Sequence, residues 1–160
     1  MNNYKSLYFV GAGGIGMANL ERYFIANGYK VAGYDRTPSE LTHALESEGV
    51  SIVYDEDPAL IPDYCRDAAT TLVVYTPAVP ASHAGLMWFR NNGFRVIKRA
   101  QLLGIITHNT KGLCFAGTHG KTTTSSMAAH ILNVSPIGCN AFLGGILKNY
   151  NSNLILSDHS

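Results

Sequence analysis

Gly117-Thr118-His119-Gly120-Lys121-Thr122 is the stretch of this chain with the sharpest chemistry. Glycines allow several backbone N–H groups to converge on one anionic oxygen, and a helix opening at such a turn adds its positive end. Lys121 supplies a point charge for the β- and γ-phosphates of a nucleotide, and the Thr122 hydroxyl can ligate Mg²⁺. The pattern is G-x-x-G-K-T, with Phe115 standing where the first glycine of the usual phosphate loop would be. An apolar run at 113–116 predicts a strand leading in, and the residues after Lys121 predict a helix leading out. That is the context a phosphate loop requires.

A second glycine turn lies in "YFVGAGGIGM", residues 8–17. Gly11, Gly13 and Gly16 satisfy G-x-G-x-x-G, and Asp35 follows about 20 residues on, where a dinucleotide fold holds the adenosine ribose. Alone, this turn points to NAD. A dehydrogenase, however, has no use for a second phosphate loop carrying Lys and Thr, whereas an ATP-dependent enzyme with another phosphorylated substrate needs both. Three readings therefore stand: an ATP-dependent enzyme with a second phosphorylated substrate, an NAD-dependent oxidoreductase, and a non-catalytic nucleotide-binding module.

The elements around the turns alternate. A buried strand is expected at 7–10 and a helix at 15–26, where Met17, Leu20 and Phe24 share one face and Asn27-Gly28 ends it. "KVAGYD" reads as the next strand. "TPSE" reads as a helix start, with Thr37 as N-cap, Pro38 in the first turn and Glu40 completing a capping box. A short strand at 50–54 leads to an acidic, proline-marked stretch from which Asp55, Glu56 and Asp57 read as a solvated turn. "TTLVVYT" is the strongest strand signal. A helix at 82–91, a strand "FRVI" and a helix at 99–106 complete a doubly wound parallel sheet of the Rossmann-like α/β class over residues 1–107. The polar run 107–112 reads as a joint. Residues 108–160 then begin a P-loop α/β domain, with Met127, Ala128, Ile131 and Leu132 as the apolar side of its helix.

Composition narrows the classes. Hydrophobic residues make up 46% and charged residues 14%, which suits a packed globular protein. The formal net charge of +1 and the absence of a basic run argue against nucleic-acid binding. Cys65, Cys114 and Cys139 have no metal-site spacing and read as reduced, buried or half-buried thiols. With no membrane span and no apolar leader in the sequence, a cytoplasmic protein is expected.

"AGTHGKTTT" at 116–124, behind an N-terminal "VGAGGIGM", is similar to the Mur ligases of bacterial peptidoglycan synthesis. The resemblance extends through "GYD", "VVYTPAVP", "VIKRAQLL" and "NAFLGG", essentially the whole chain. It implies an N-terminal domain holding the UDP part of UDP-N-acetylmuramate, a central domain binding ATP and Mg²⁺, and a further domain that brings in the amino acid, L-alanine. The implied reaction moves the γ-phosphoryl group of ATP to the muramyl carboxylate, and the amine then displaces phosphate from the acyl phosphate.

Carried onto this sequence, the resemblance places Gly11, Gly13, Gly14, Ile15, Gly16 and Met17 around the UDP diphosphate, with Asp35 toward the uridine. Thr76, Pro77 and Ala78 sit at the strand edge where open α/β sheets bind ligands, and Lys98 and Arg99 add charge there. Gly117, Thr118, His119, Gly120, Lys121, Thr122 and Thr123 form the ATP loop. Lys121 and Thr122 are its catalytic pair, Thr122 the metal ligand, and Thr123 a further phosphate contact. Gly144-Gly145 gives either a close backbone approach to substrate or a tight turn. The acidic cluster expected beyond the ATP loop does not occur before Ser160, so the chain reads as a truncated piece of the enzyme, without ligase activity of its own. His119 is the one histidine expected beside a phosphate; His43, His83, His108, His130 and His159 are expected at the surface or flanking helices.

Overall fold

The computed structural model describes residues 3–108 and 110–157. The chain divides into two units, Met1–Asn109 and Thr110–Ser160.

The first unit alternates strand and helix as its apolar periodicity requires: β1 Ser6–Val10, α1 Ile15–Ala26, β2 Lys30–Tyr34, α2 Glu40–Ser47, β3 Ser51–Val53, β4 Thr71–Tyr75, α3 Ala84–Asn91, β5 Arg95–Lys98 and α4 Arg99–His108. The five strands form one sheet in the order β3-β2-β1-β4-β5. All its pairings are parallel, with Val10 in register with Tyr34 on one side and Tyr75 on the other. β1 is the central strand and every residue of it is buried, which is why it reads as an unbroken apolar run. Tyr8 and Val10 join Ala32, Tyr34, Val73, Leu86, Phe89 and Phe94 in a core on one face. Strand alternation sends Leu7 and Phe9 to the other face. Phe89 anchors α3 with ring centroids 4.9 Å from both Tyr8 and Phe94.

Helix α2 begins two residues later than its sequence suggests. Asp35 Oδ1 accepts from Thr37 N–H at 3.4 Å, an Asx-type contact that keeps the chain extended past Pro38. The cap is Ser39, whose Oγ accepts from Thr42 N–H at 3.2 Å while Thr42 Oγ1 accepts from Ser39 N–H at 2.8 Å. Ser39 and Thr42, not Thr37 and Glu40, make the capping box. Asp55, Glu56 and Asp57 are exposed in a turn before Pro58, as expected, and two of them cap the elements that follow. Asp57 Oδ1 caps a short 3₁₀ turn through Ala59 N–H at 2.8 Å, and Glu56 Oε2 accepts from Ala84 N–H at 3.1 Å, at the start of α3.

The second unit contains α5 Lys121–Val134 and an antiparallel hairpin of β6 Ala141–Leu147 and β7 Ser152–Ile155. The strand expected at 113–116 does not form: Leu113 and Phe115 are exposed, and no described residue pairs with this segment. An apolar run becomes a strand only when neighbours take its N–H and C=O groups. Helix α5 packs through Ala129, against Leu143 and Ile155. Met127 and Ile131, expected on its buried side, are exposed. Tyr150 ties the hairpin to this helix, its hydroxyl 2.7 Å from His130 Nδ1 and 3.3 Å from Asn133 Nδ2. His159 lies outside the described residues.

Candidate functional site

The sheet order reverses between β1 and β4, so their carboxyl ends open the crevice where such sheets take ligands. The turn after β1 and the loop after β4 meet there. Gly11 has φ +92°, and a Cβ on it would lie 2.5 Å from Thr76 Cγ2, so only glycine fits beside this wall. Pro77 and Ala78 are exposed on the rim.

The amides of the β1–α1 turn divide into two groups. Gly11 and Ala12 donate to the Tyr34 carbonyl at 2.8 and 2.9 Å, and Gly13 donates to Asp35 Oδ2 at 2.6 Å. The Gly14 carbonyl caps the helix, accepting from Met17 and Ala18 at 2.8 and 2.9 Å. That leaves the N–H groups of Gly14, Ile15 and Gly16 without a protein partner among the described residues, at the positive end of a 12-residue helix. Arg99, the first residue of α4, stands at the same point, since a Cβ added to Gly16 would run into its guanidinium. No carboxylate pairs with Arg99 among the described residues. Three free amides and a guanidinium, all positive, make a place for an anion of more than one oxygen.

The structure therefore brings Gly11 to Thr76, Gly13 to Asp35, and Gly16 to Arg99. Lys98 is exposed beside Tyr75 at the edge of the sheet, with no described contact to the turn. Met17 does not face the ligand side: its side chain is buried beneath the turn and its N–H is held by Gly14. Asp35 braces the turn through Oδ2. Ile15 is 66% exposed at the mouth of the crevice.

His83 flanks a helix, one of the two places expected for it, but its burial was not foreseen. It is only 3% exposed and flanks α3 as its N-cap, Nδ1 accepting from Leu86 N–H at 3.1 Å. Its ring meets Tyr34 edge-on with centroids 4.3 Å apart, and burial pushes its pKa below the ordinary imidazole value. Histidine is not among the preferred capping residues, so no signal in "ASHAGL" marks it. The cysteines offer no nucleophile in this unit, because burial pushes the Cys65 thiol up to about 12. Cys114, expected to be buried or half-buried, is exposed.

In the second unit, Gly120 takes a left-handed conformation at φ 75° and caps α5. Thr118, His119, Lys121, Thr122 and Thr123 are exposed around the turn. Lys121 Nζ donates to the carbonyls of Gly117 at 2.5 Å and Thr118 at 3.2 Å, so the ammonium is folded over its own loop. Gly144 and Gly145 lie within β6 and not in a tight turn. A Cβ on either would stand 3.3 Å from the Thr122 side chain, so their bareness makes room for that threonine. The exposed amides and cation fit a phosphate chain. For a metal, the described residues supply the Thr122 hydroxyl but no cluster of three or more His, Cys, Asp or Glu.

Residues 6–111 match the family model described as Mur ligase family, catalytic domain. The chain is 64% identical over 160 residues to a UDP-N-acetylmuramate–L-alanine ligase of Phocaeicola vulgatus, covering all of this chain and 35% of that protein. It is 61% identical to the ligase of the same name from Parabacteroides distasonis, with the same coverage. Among solved structures, a UDP-N-acetylmuramate–alanine ligase from Thermotoga maritima superposes with TM-score 0.79 at 29% identity, over 93% of this chain and 34% of that one. A UDP-N-acetylmuramate:L-alanyl-γ-D-glutamyl-meso-diaminopimelate ligase from Neisseria meningitides gives TM-score 0.82 at 25% identity, over 94% and 46%. The chain spans about a third of the length of the curated relatives it matches.

Proposed function

Because the chain belongs to the Mur ligase family, we propose that its first unit holds the nucleoside diphosphate end of UDP-N-acetylmuramate, and that its second carries the phosphate loop for ATP. Both serve the joining of L-alanine to that substrate, the activity named for its relatives. One observation carries the proposal for the first unit: the free amides of Gly14, Ile15 and Gly16 converge with the Arg99 guanidinium at the switch point of the sheet. The amides fix the diphosphate by hydrogen bonds and Arg99 balances its charge. Thr76 closes the opposite wall, with Pro77 and Ala78 on the rim, and Ile15 offers an apolar contact at the mouth. Lys98 adds positive charge from the same sheet edge.

In the second unit, Lys121 leaves the Gly117 and Thr118 carbonyls for the β- and γ-phosphates, which the amides of the 117–123 turn cradle. Thr123 is a further phosphate contact and His119 a neighbour of the loop. ATP with Mg²⁺ supplies an activated phosphoryl group for the substrate carboxylate, and Thr122 Oγ1 is the group in this chain that would ligate the metal. Ligase turnover is proposed for proteins with the full length of the relatives and not for these 160 residues by themselves. A cytoplasmic location belongs to the same proposal, as the compartment of its nucleotide substrates. No described helix is long and apolar enough to cross a membrane.

Calorimetric titration of the chain with UDP-N-acetylmuramate and, separately, with NADH tests the first unit. Binding of the UDP-sugar without binding of NADH is expected. NADH binding in place of the UDP-sugar would overturn the reading.

A further inference from the structure

The loop 76–83 forms one wall of the crevice and ends on a buried histidine that the proposed chemistry does not use. His83 closes this loop on itself, its N–H donating to the Pro80 carbonyl at 3.1 Å. Its Nδ1 accepts from Leu86 N–H, so the neutral ring carries its proton on Nε2. That Nε2 is buried and has no hydrogen-bond partner among the described residues. The ring packs edge-on against Tyr34, the residue whose carbonyl takes the Gly11 and Ala12 amides. A continuous path thus runs from the cap of α3, through the two rings, to the turn that presents the free amides.

We propose that His83, in its neutral form, is a positioning residue for the substrate crevice, pinning the loop 76–83 against the carboxyl end of β2 and giving UDP-sugar binding an acid limit. The inference rests on the nucleotide-sugar reading of the first unit. Protonation of Nδ1 would set one N–H against another where the cap is now made, and it would charge a ring that is almost wholly buried. The groups known to face the ring are Tyr34 from β2 and Glu56 from the turn after β3. Glu56 favours the charged ring, but its Oε2 is bonded to Ala84 N–H, and burial is the larger effect. Burial therefore holds the His83 pKa below its ordinary value in the folded protein.

The test is calorimetric binding of UDP-N-acetylmuramate to the whole chain from pH 8 to pH 5.5, for the wild type and for His83→Asn. The ligand's diphosphate is esterified at both ends and does not gain a proton over this range. Asparagine keeps a capping acceptor but does not titrate. Wild-type affinity is expected to be flat above neutrality and to fall by up to about tenfold per pH unit below the His83 pKa. His83→Asn, which keeps the cap but not the ring against Tyr34, should bind about three- to tenfold more weakly than wild type at pH 7.5, about 0.65–1.4 kcal/mol, and lack the acid limb. Urea unfolding across the same range should show wild type losing stability below about pH 6.5 relative to His83→Asn, independently of any ligand. A flat wild-type profile, or an equal acid limb in His83→Asn, overturns the inference while leaving the nucleotide reading intact. Absence of UDP-sugar binding at pH 7.5 overturns that reading itself.

Discussion

Gly16→Ala separates what the β1–α1 turn does for stability from what it does for the ligand. Gly16 is the second residue of α1, where alanine is the better helix former by up to about 1 kcal/mol. The added methyl would occupy the position of the Arg99 guanidinium. Because that group is the end of a flexible, exposed side chain, Arg99 moves aside and the fold is kept. What is lost is a charge-assisted contact to the diphosphate, about 1.5–3 kcal/mol in a favourable setting. The exposure of Arg99 selects the low end, about tenfold in Kd. The assay is calorimetric titration of UDP-N-acetylmuramate into wild type, Gly16→Ala, Arg99→Ala and the double variant, with thermal unfolding in parallel. Gly16→Ala should bind about tenfold more weakly at an unchanged or raised Tm, and the double variant should bind no more weakly than Arg99→Ala alone. Undiminished binding by Gly16→Ala, or fully additive losses, would refute the placement of Arg99 over the turn.

Two further outcomes are expected. Asp35→Ala should release the Gly13 amide, weakening UDP-sugar binding about tenfold and costing about 1–2 kcal/mol of stability, while Asp35→Asn keeps an acceptor and recovers most of both; calorimetry and hydrogen exchange at Gly13 measure this. Glu21 is 0% exposed and neither carboxylate oxygen has a partner among the described residues, so burial raises its pKa well above 4.5. A raised carboxyl pKa favours folding at acid pH, and the benefit is lost as pH rises from about 4.5 through the folded value. Glu21→Met should therefore stabilise the protein by about 1–3 kcal/mol near neutrality, with a smaller gain at pH 4, as urea unfolding at the two pH values would show.

The parallel sheet of the first unit was legible because β1, β2 and β4 are apolar runs closed by glycine, aspartate or proline, and α1 repeats its apolar residues on a 3.6-residue period. Contacts between distant residues were not. The identity of Asp35 and its spacing from the glycines suit a ribose contact and a turn brace equally, and nothing in the sequence shows the 2.6 Å bond to the Gly13 amide. The approach of Arg99 to Gly16 joins residues 83 positions apart, and periodicity carries no sign of it. The Ser39 cap was displaced from the expected Thr37 by a side-chain bond from Asp35. The run at 113–116 has the composition of a strand, but a strand is a relation between segments, and no described segment pairs with it. Gly144 and Gly145 read from sequence as a tight turn or a close approach to substrate; they lie within β6, and what their bareness accommodates is the Thr122 side chain.

The most direct test of the UDP-diphosphate site is a two-dimensional amide NMR titration of the chain with UDP-N-acetylmuramate. The Gly14, Ile15 and Gly16 amides should show the largest shifts, with the Arg99 Nε–H signal moving alongside them, and NADH should leave all four in place. Binding that leaves the three amides unmoved, or NADH shifts of the same size at the same residues, would contradict it.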